Sequence, residues 1–433
     1  MTYKEAIDYL YNSAPMFQNV GQAAYKPGLS TTCALDDHFN HPHKKFKSIH
    51  IGGTNGKGSC SHFIASILQE SGYKVGLYTS PHLLDFRERI RVNGEMISED
   101  YVISFIEDER AFFEPLHPSF FELATSLAFK YFADMEVDVA VIEVGLGGRL
   151  DCTNIITPEL SIITNISKDH TNLLGTSKSS LAYEKAGIIK RKRPVLIGEY
   201  NSITHKVFDS IAKQLNAPIT YAEKKVQLND YTLYPDGKLG IVMPWFKVLY
   251  SPLGGIYQLK NLTTVLCSME ILSKRFPKIS EQTIESGIKN VITNTGLQGR
   301  WQCINKKPRV FCDTGHNIGG FECISRQLKS QKYKKLRIVI GMVNDKDING
   351  VLSMLPTDAQ YYFCQASVDR AMPHAEIKAL GASHDLHGDS FSSVSEAYHK
   401  ALSDSSPEDF IFVGGSTFVV ADLLRYNEES GID

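Results

Sequence analysis

One run of residues, Gly52-Gly53-Thr54-Asn55-Gly56-Lys57-Gly58-Ser59, has the makings of a phosphate site. Glycines let successive backbone N–H groups converge on phosphate oxygens, because no Cβ stands in the way. The apolar run Phe46–Ile51 precedes it, and a helical pattern, Ser59–Glu70, follows and stops at Gly72. A helix starting there adds partial positive charge at the same place. Lys57 can reach the β and γ oxygens of a nucleotide, and the Ser59 hydroxyl suits Mg²⁺. A glycine stands between Lys57 and Ser59, so the spacing departs from the usual phosphate loop. Taken alone, the string also fits a glycine-rich turn with no ligand.

Further along, Glu143 lies in the apolar run Val137–Val144. A carboxylate buried among apolar residues is costly unless paired or bound to a metal. Its place at a strand's carboxyl end is where open α/β sheets bind ligands; a solvated edge-strand glutamate is the alternative. His170 follows the run Leu160–Ile166 in a similar position, though a lone histidine is more often a structural hydrogen-bonder. Lys185 falls in Ser180–Ile189, which reads as a helix, and spacing gives it no role beyond a solvated side chain. Asp313, His316 and Asn317 follow the strand-like run Arg309–Cys312. Phe120 and Phe121 read as core aromatics on spacing alone.

These residues need a scaffold of alternating strands and helices. Phe46–Ile51, Lys74–Tyr78, Val137–Val144, Leu160–Ile166 and Pro194–Ile197 read as strands with helical stretches between them, which predicts a mainly parallel sheet covered by helices. The pattern restarts at Arg309–Cys312, Leu336–Ile340, Gln360–Cys364 and Phe410–Val413. Thr293–Gly299 (TNTGLQG) reads as the linker. Val226–Tyr250, around Pro235-Asp236-Gly237, looks like a hairpin added to the first domain. The chain has 433 residues, more than one core usually serves. The expectation is an α/β protein: a phosphate-loop ATPase-type domain over residues 1–296 with a mainly parallel sheet, and a smaller Rossmann-like α/β domain over 297–433.

Composition narrows the class. With 46 Lys plus Arg against 48 Asp plus Glu, the net charge of −2 gives no reason to propose nucleic acid or an anionic membrane as partner. The N-terminus has no continuous apolar stretch like a signal peptide's, and no run approaches the roughly 18 apolar residues of a membrane helix. The eight cysteines contain no CxxC pair, so neither a zinc site nor a disulfide framework is expected. Reduced thiols in a cytoplasmic protein fit best.

The loop GTNGKGS resembles the ATP loop of the Mur ligase superfamily, and the match is close to its folylpolyglutamate synthase and dihydrofolate synthase branch. The same likeness runs through Thr79-Ser80-Pro81-His82-Leu83, Glu88-Arg89-Ile90, Gly145–Asn154, Asp169-His170, Glu184-Lys185-Ala186-Gly187 and Asp313–Asn317, in the family's order. It implies ATP at Gly53, Thr54, Asn55, Gly56, Lys57, Gly58, Ser59, Asn261, Arg300 and Asp313. It implies Mg²⁺, at two sites, on Ser59, Ser80, Glu143, His170 and a Lys185 carbamylated by CO₂. A pterin would meet His82, Arg89, Phe121 and Asp151, whereas His316 and Ser416 would serve the substrates of the second domain. Lys57, Lys185 and His316 are the implied catalytic residues. Asp345-Lys346-Asp347 and Gly414-Gly415-Ser416 also resemble the family. Two departures stand out: DTGHN where the family usually has DGAHN, and Cys152 where it commonly has Ala.

The implied activity is ATP-dependent ligation of glutamate to dihydropteroate, to the γ-carboxylate of a folate, or to both, through an acyl phosphate. Its partners would be small molecules, with no nucleic acid or membrane, and a monomer is expected. Competing classes are a superfamily ligase acting on a cell-wall precursor, a phosphate-loop small-molecule kinase, and a nucleotide-binding regulator without catalysis. The TSPHL, ERI and GRLDCTN strings argue against the first. A kinase would not need the DTGHN domain. A regulator would be expected to have lost Lys57, Glu143 or His170.

Overall fold

The computed structural model describes residues 1–13, 28–167, 169, 175, 177–228, 230–242 and 248–431. Internal contacts divide the chain into two units. One comprises 1–230, 242–250 and 259–297, the other 231–241, 251–258 and 298–433.

The first unit is built on eight strands: β1 (Lys47–Gly52), β2 (Val75–Tyr78), β3 (Ile90–Val92), β4 (Glu95–Met96), β5 (Val139–Glu143), β6 (Leu160–Ile163), β7 (Val195–Ile197) and β8 (Ile219–Tyr221). They run in the order β4-β3-β2-β5-β1-β6-β7-β8. β3 pairs antiparallel with both β2 and β4, and the other pairings of this sheet are parallel. Every residue of β2, β5 and β6 is buried, the signature of parallel strands covered on both faces. The helix Phe120–Asp134 opens on a capping box between Ser119 and Glu122, a device worth about 1 kcal/mol. It buries Leu123, Leu127 and Phe132 in the cluster that also takes Ala140 and Ile142 of β5.

Register sets the chemistry's position. β1 lies between β5 and β6, with Ile51 opposite both Glu143 and Ile162. β2 ends with Tyr78 opposite Ile142. The loops after β1, β2, β5 and β6 therefore leave the sheet side by side at its carboxyl edge.

The second unit holds β12 (Gln302–Lys306), β13 (Arg309–Asp313), β14 (Leu336–Ile340), β15 (Gln360–Cys364), β16 (Gly388–Phe391) and β17 (Phe410–Gly414), in the order β12-β13-β17-β14-β15-β16. Only β12 is antiparallel. Asp313 ends β13 beside Gly414, the end of β17.

Three expectations change. The hairpin of β9 (Tyr231–Leu233) and β10 (Leu239–Ile241) clusters with the second unit, not the first. Gly237 sits at φ +81, where a Cβ would lie 2.7 Å from the Phe311 ring; the turn is fitted to that core. A short strand, β11 (Leu249–Ser251), follows the hairpin. The linker's first half is helical, since Val291–Thr295 forms a helix that Gly296 ends in a left-handed conformation. Strand β6 stops at Ile163 because Thr164 and the residues after it bond to the phosphate loop instead.

Candidate active site

The phosphate loop is shaped by the segment after β6. Thr54 N–H donates to Asn165 O (3.0 Å), and Asn55 N–H donates to Asn165 Oδ1 (3.1 Å). The Thr164 hydroxyl donates to Asn55 O at 2.7 Å, and Thr54 Oγ1 accepts from Ser167 N at 3.1 Å. Gly53 adopts φ +138, and a Cβ on it would stand 1.9 Å from Thr164 Oγ1. Gly56 adopts φ +83, and a Cβ there would meet Asn261 Oδ1 at 2.2 Å. Glycine is thus required at both positions, and Asn261 borders the loop. Lys57, partly exposed, curls back to donate to Thr54 O at 3.1 Å. Ser59 is buried in the first turn of the helix Lys57–Glu70.

A second lysine reaches the same loop. Lys185, on the helix Lys178–Ala186, is buried and donates through Nζ to Gly53 O at 2.9 Å. Burial and the charge of Lys57 lower its pKa to about 7, although Asp169 and Asp151 act in the opposite direction. Gly148 explains how the helix comes so near: a Cβ there would lie 2.8 Å from Glu184 O and 3.1 Å from Lys185 Cα. Across β1, the buried Glu143 carboxylate accepts from Ser80 N–H at 3.3 Å. Ser59, Ser80 and Glu143 offer oxygens that suit a hard divalent cation. His170 lies outside the described residues.

On the same edge, beyond β2, Arg89 is buried and donates from Nε to His82 Nδ1 at 2.8 Å. The guanidinium also lies over the Phe120 ring, 5.1 Å from its centroid. Burial and Arg89 hold the His82 pKa well below normal, so the imidazole is neutral with its proton on Nε2. Phe120 is core; Phe121 is only half-buried, its ring wedged where a Cβ on Gly145 would fall, at 2.4 Å. Asp151 caps the short helical turn Cys152–Ile155. Its oxygens accept from Thr153 N (3.0 Å), the Thr153 hydroxyl and Leu146 N (2.8 Å). Burial raises its pKa, against the pull of those bonds. His50, fully buried in β1, joins this chain at Thr153 Oγ1 (2.8 Å). Burial lowers its pKa to about 3, so it acts as a neutral prop.

In the second unit, Asp313 is buried and satisfied on both oxygens. Oδ2 accepts from Tyr257 Oη (2.5 Å) and Trp301 N (2.8 Å), and Oδ1 accepts from Gly315 N (2.8 Å). Burial raises its pKa, against the Tyr257 bond and the charge of Arg300. A Cβ on Gly315 would meet Ile324 Cδ1 at 2.5 Å, so the order Thr-Gly suits this core where Gly-Ala would press on Ile324. His316 Nδ1 faces Thr314 O at 3.1 Å, which puts the imidazole proton on Nδ1. Asn317 caps the helix Ile318–Ser330, and Asp347 caps the helix Ile348–Leu352. The Ser416 hydroxyl caps the helix Thr417–Ser430, accepting from Val419 N at 3.1 Å.

Residues 51–269 match the family described as Mur ligase, middle domain, and residues 299–417 match the Mur ligase, glutamate ligase domain. The dihydrofolate synthase/folylpolyglutamate synthase of Escherichia coli is 34% identical over 87% of this chain and 85% of its own length. The Bacillus subtilis enzyme of that name is 31% identical over 92% and 95%. The chain belongs to this family. Its folylpolyglutamate/dihydrofolate synthase fold is seen in E. coli FolC in complex with DHPP and ADP, at TM-score 0.84 and 30% identity, covering 100% of this chain and 99% of that one. A bifunctional folylpolyglutamate synthase/dihydrofolate synthase with Mn, AMPPNP and L-glutamate bound gives 0.81 at 27% identity, covering 99% and 98%. The chain is accordingly an ATP-dependent ligase of the Mur family, and a cell-wall-precursor ligase or kinase is not favoured.

For a folylpolyglutamate/dihydrofolate synthase, the first unit brings the loop residues, Asn261, Ser80, Glu143 and Lys185 onto one sheet edge. The second gathers Arg300, Asp313 and His316 at the end of β13. Sequence reasoning missed Thr164, Asn165, Ser167, His50 and Tyr257, which support these groups from distant positions. A TN pair following an apolar strand was the only local signal for the first two.

Proposed function

We propose that this chain joins L-glutamate to dihydropteroate, to the γ-carboxylate of a (tetrahydro)folate, or to both. The observation that carries this is the convergence of Lys57 and Lys185 on the carbonyls of one phosphate loop, with Glu143 and Ser80 at adjoining strand ends. In the first step an acceptor carboxylate oxygen attacks the γ-phosphorus of ATP, and the bond to ADP breaks. Loop N–H groups and the Lys57 ammonium balance the phosphoryl charge. The glutamate amine then attacks the acyl carbon, loses a proton, and phosphate leaves. We assign His316, just past the end of β13, to that proton transfer.

Ser59, Ser80, Glu143 and a carbamylated Lys185 would hold Mg²⁺, with His170 completing the set over two sites; a bound cation would neutralise phosphate charge. The carbamate forms when the neutral Lys185 amine attacks CO₂, making an N–C bond and releasing one proton. A buried lysine with pKa about 7 has that neutral amine near neutral pH. We assign residues 1–296 to ATP and 297–433 to glutamate, acting as a monomer in the cytoplasm.

Purified chain, ATP, Mg²⁺ and glutamate supplied with dihydropteroate or a reduced folate should give ADP, phosphate and a product heavier by one glutamyl residue. AMP and pyrophosphate, or ATP turnover indifferent to glutamate, would overturn the reading. A ¹³C carbamate resonance from labelled CO₂, lost in Lys185→Ala, tests the modification.

A further inference from the structure

The N-terminal helix Tyr3–Ser13 contributes a group that the family motifs do not mark. Tyr11 stacks at 16° on the His82 ring, with centroids 6.4 Å apart, and tilts against Phe120 at 5.6 Å. Its Oη is 3.3 Å from His82 Nε2. The helix is held by the Tyr3 hydroxyl, which donates to Asp85 Oδ1 at 2.8 Å, and by Arg87 over the Tyr3 ring at 5.2 Å.

The direction of this chain of hydrogen bonds is fixed at its source. Arg89 can only donate, so His82 Nδ1 must accept and His82 Nε2 must carry the proton. That proton is donated to Tyr11 Oη. The tyrosine's own proton is therefore the last donor of the series Arg89→His82→Tyr11. Among the described residues no hydrogen bond takes it to an acceptor. A series that starts on a guanidinium polarises each member after it, so its end is a strengthened donor. The donor lies against His82, which, with Arg89, the family likeness gives to the pterin.

We infer that the Tyr11 hydroxyl donates to the ring carbonyl oxygen of the acceptor's fused heterocycle and so selects oxo over amino substitution at that ring position. The inference rests on the folate-acceptor reading. An exocyclic amino group there would set donor against donor and leave the phenol unsatisfied.

The test compares wild type with Tyr11→Phe, which keeps the ring and its stacking. Each is given an oxo-pteridine acceptor and its amino-for-oxo analogue. In wild type the oxo acceptor should have the higher kcat/KM by about tenfold or more, on the scale of one lost hydrogen bond. In Tyr11→Phe that preference should fall to within about twofold, through KM for the oxo acceptor, with kcat and the KM values for ATP and glutamate unchanged. Tyr11→Phe retaining the full preference would overturn the inference while leaving the ligase reading intact. Wild type that uses neither acceptor would overturn the ligase reading, and the inference with it. A general loss of activity with the preference preserved would mark Tyr11 as merely structural and equally overturn it.

Discussion

Lys57 and Lys185 both end on carbonyls of one loop, yet they differ in exposure, and that difference separates their chemistry. Lys57 is partly exposed, so Lys57→Ala should change stability by no more than about 0.5 kcal/mol while turnover falls by about 10²-fold or more. Near wild-type turnover would remove it from the phosphate chemistry. Lys185 is buried, and its pKa falls from 10.5 to about 7. Raising the pH through 7 converts its ammonium to the amine that reacts with CO₂. Carbamate content at fixed dissolved CO₂ should therefore rise between about pH 6 and 8, and Mg²⁺ affinity with it. A flat carbamate signal over that window would contradict this. Much of this site was legible in the sequence because glycines around a lysine, or a glutamate inside an apolar strand, are unusual on their own. Thr164, His50 and Tyr11 were not legible. Each is an ordinary residue whose role comes from a partner far away in the chain, as with Thr164 Oγ1 on Asn55 O.

At the scale of elements, the long buried strands were legible because continuous apolar runs between helical patterns leave little else to be. β3 and β4 were not, since a strand of two or three residues has no period to read. The hairpin was legible as a hairpin, but its allegiance depends on Gly237 fitting the Phe311 ring, and no local pattern encodes that. The loop after β1 makes a prediction of its own. Gly53→Ala would force a Cβ to within 1.9 Å of Thr164 Oγ1 at φ +138. We expect a loss of about 1–3 kcal/mol, seen as a lower Tm. Thr164→Ala should cost less in that background than in wild type, because the closest clash has gone while the strained φ remains. Additive effects in the double-mutant cycle would show that the two residues do not press on each other.

For the whole molecule, the two α/β units were legible from the restart of the strand pattern, whereas the path between them was not. The chain leaves the first unit and returns twice before it stays in the second. That path governs how the sequence can be recombined. A crossover between two homologous genes near residue 297 would take β13, with Asp313, from one parent. Tyr257, whose hydroxyl holds Asp313, and the hairpin that seats Gly237 on Phe311 would come from the other. Chimaeras exchanging 298–433 alone should therefore melt below those that also exchange 231–241 and 251–258, and thermal unfolding of the paired set would show it. Equal Tm values would mean these contacts are interchangeable between relatives. Otherwise, the second unit cannot be inherited through a single breakpoint, and its divergence must proceed by substitutions distributed across the gene.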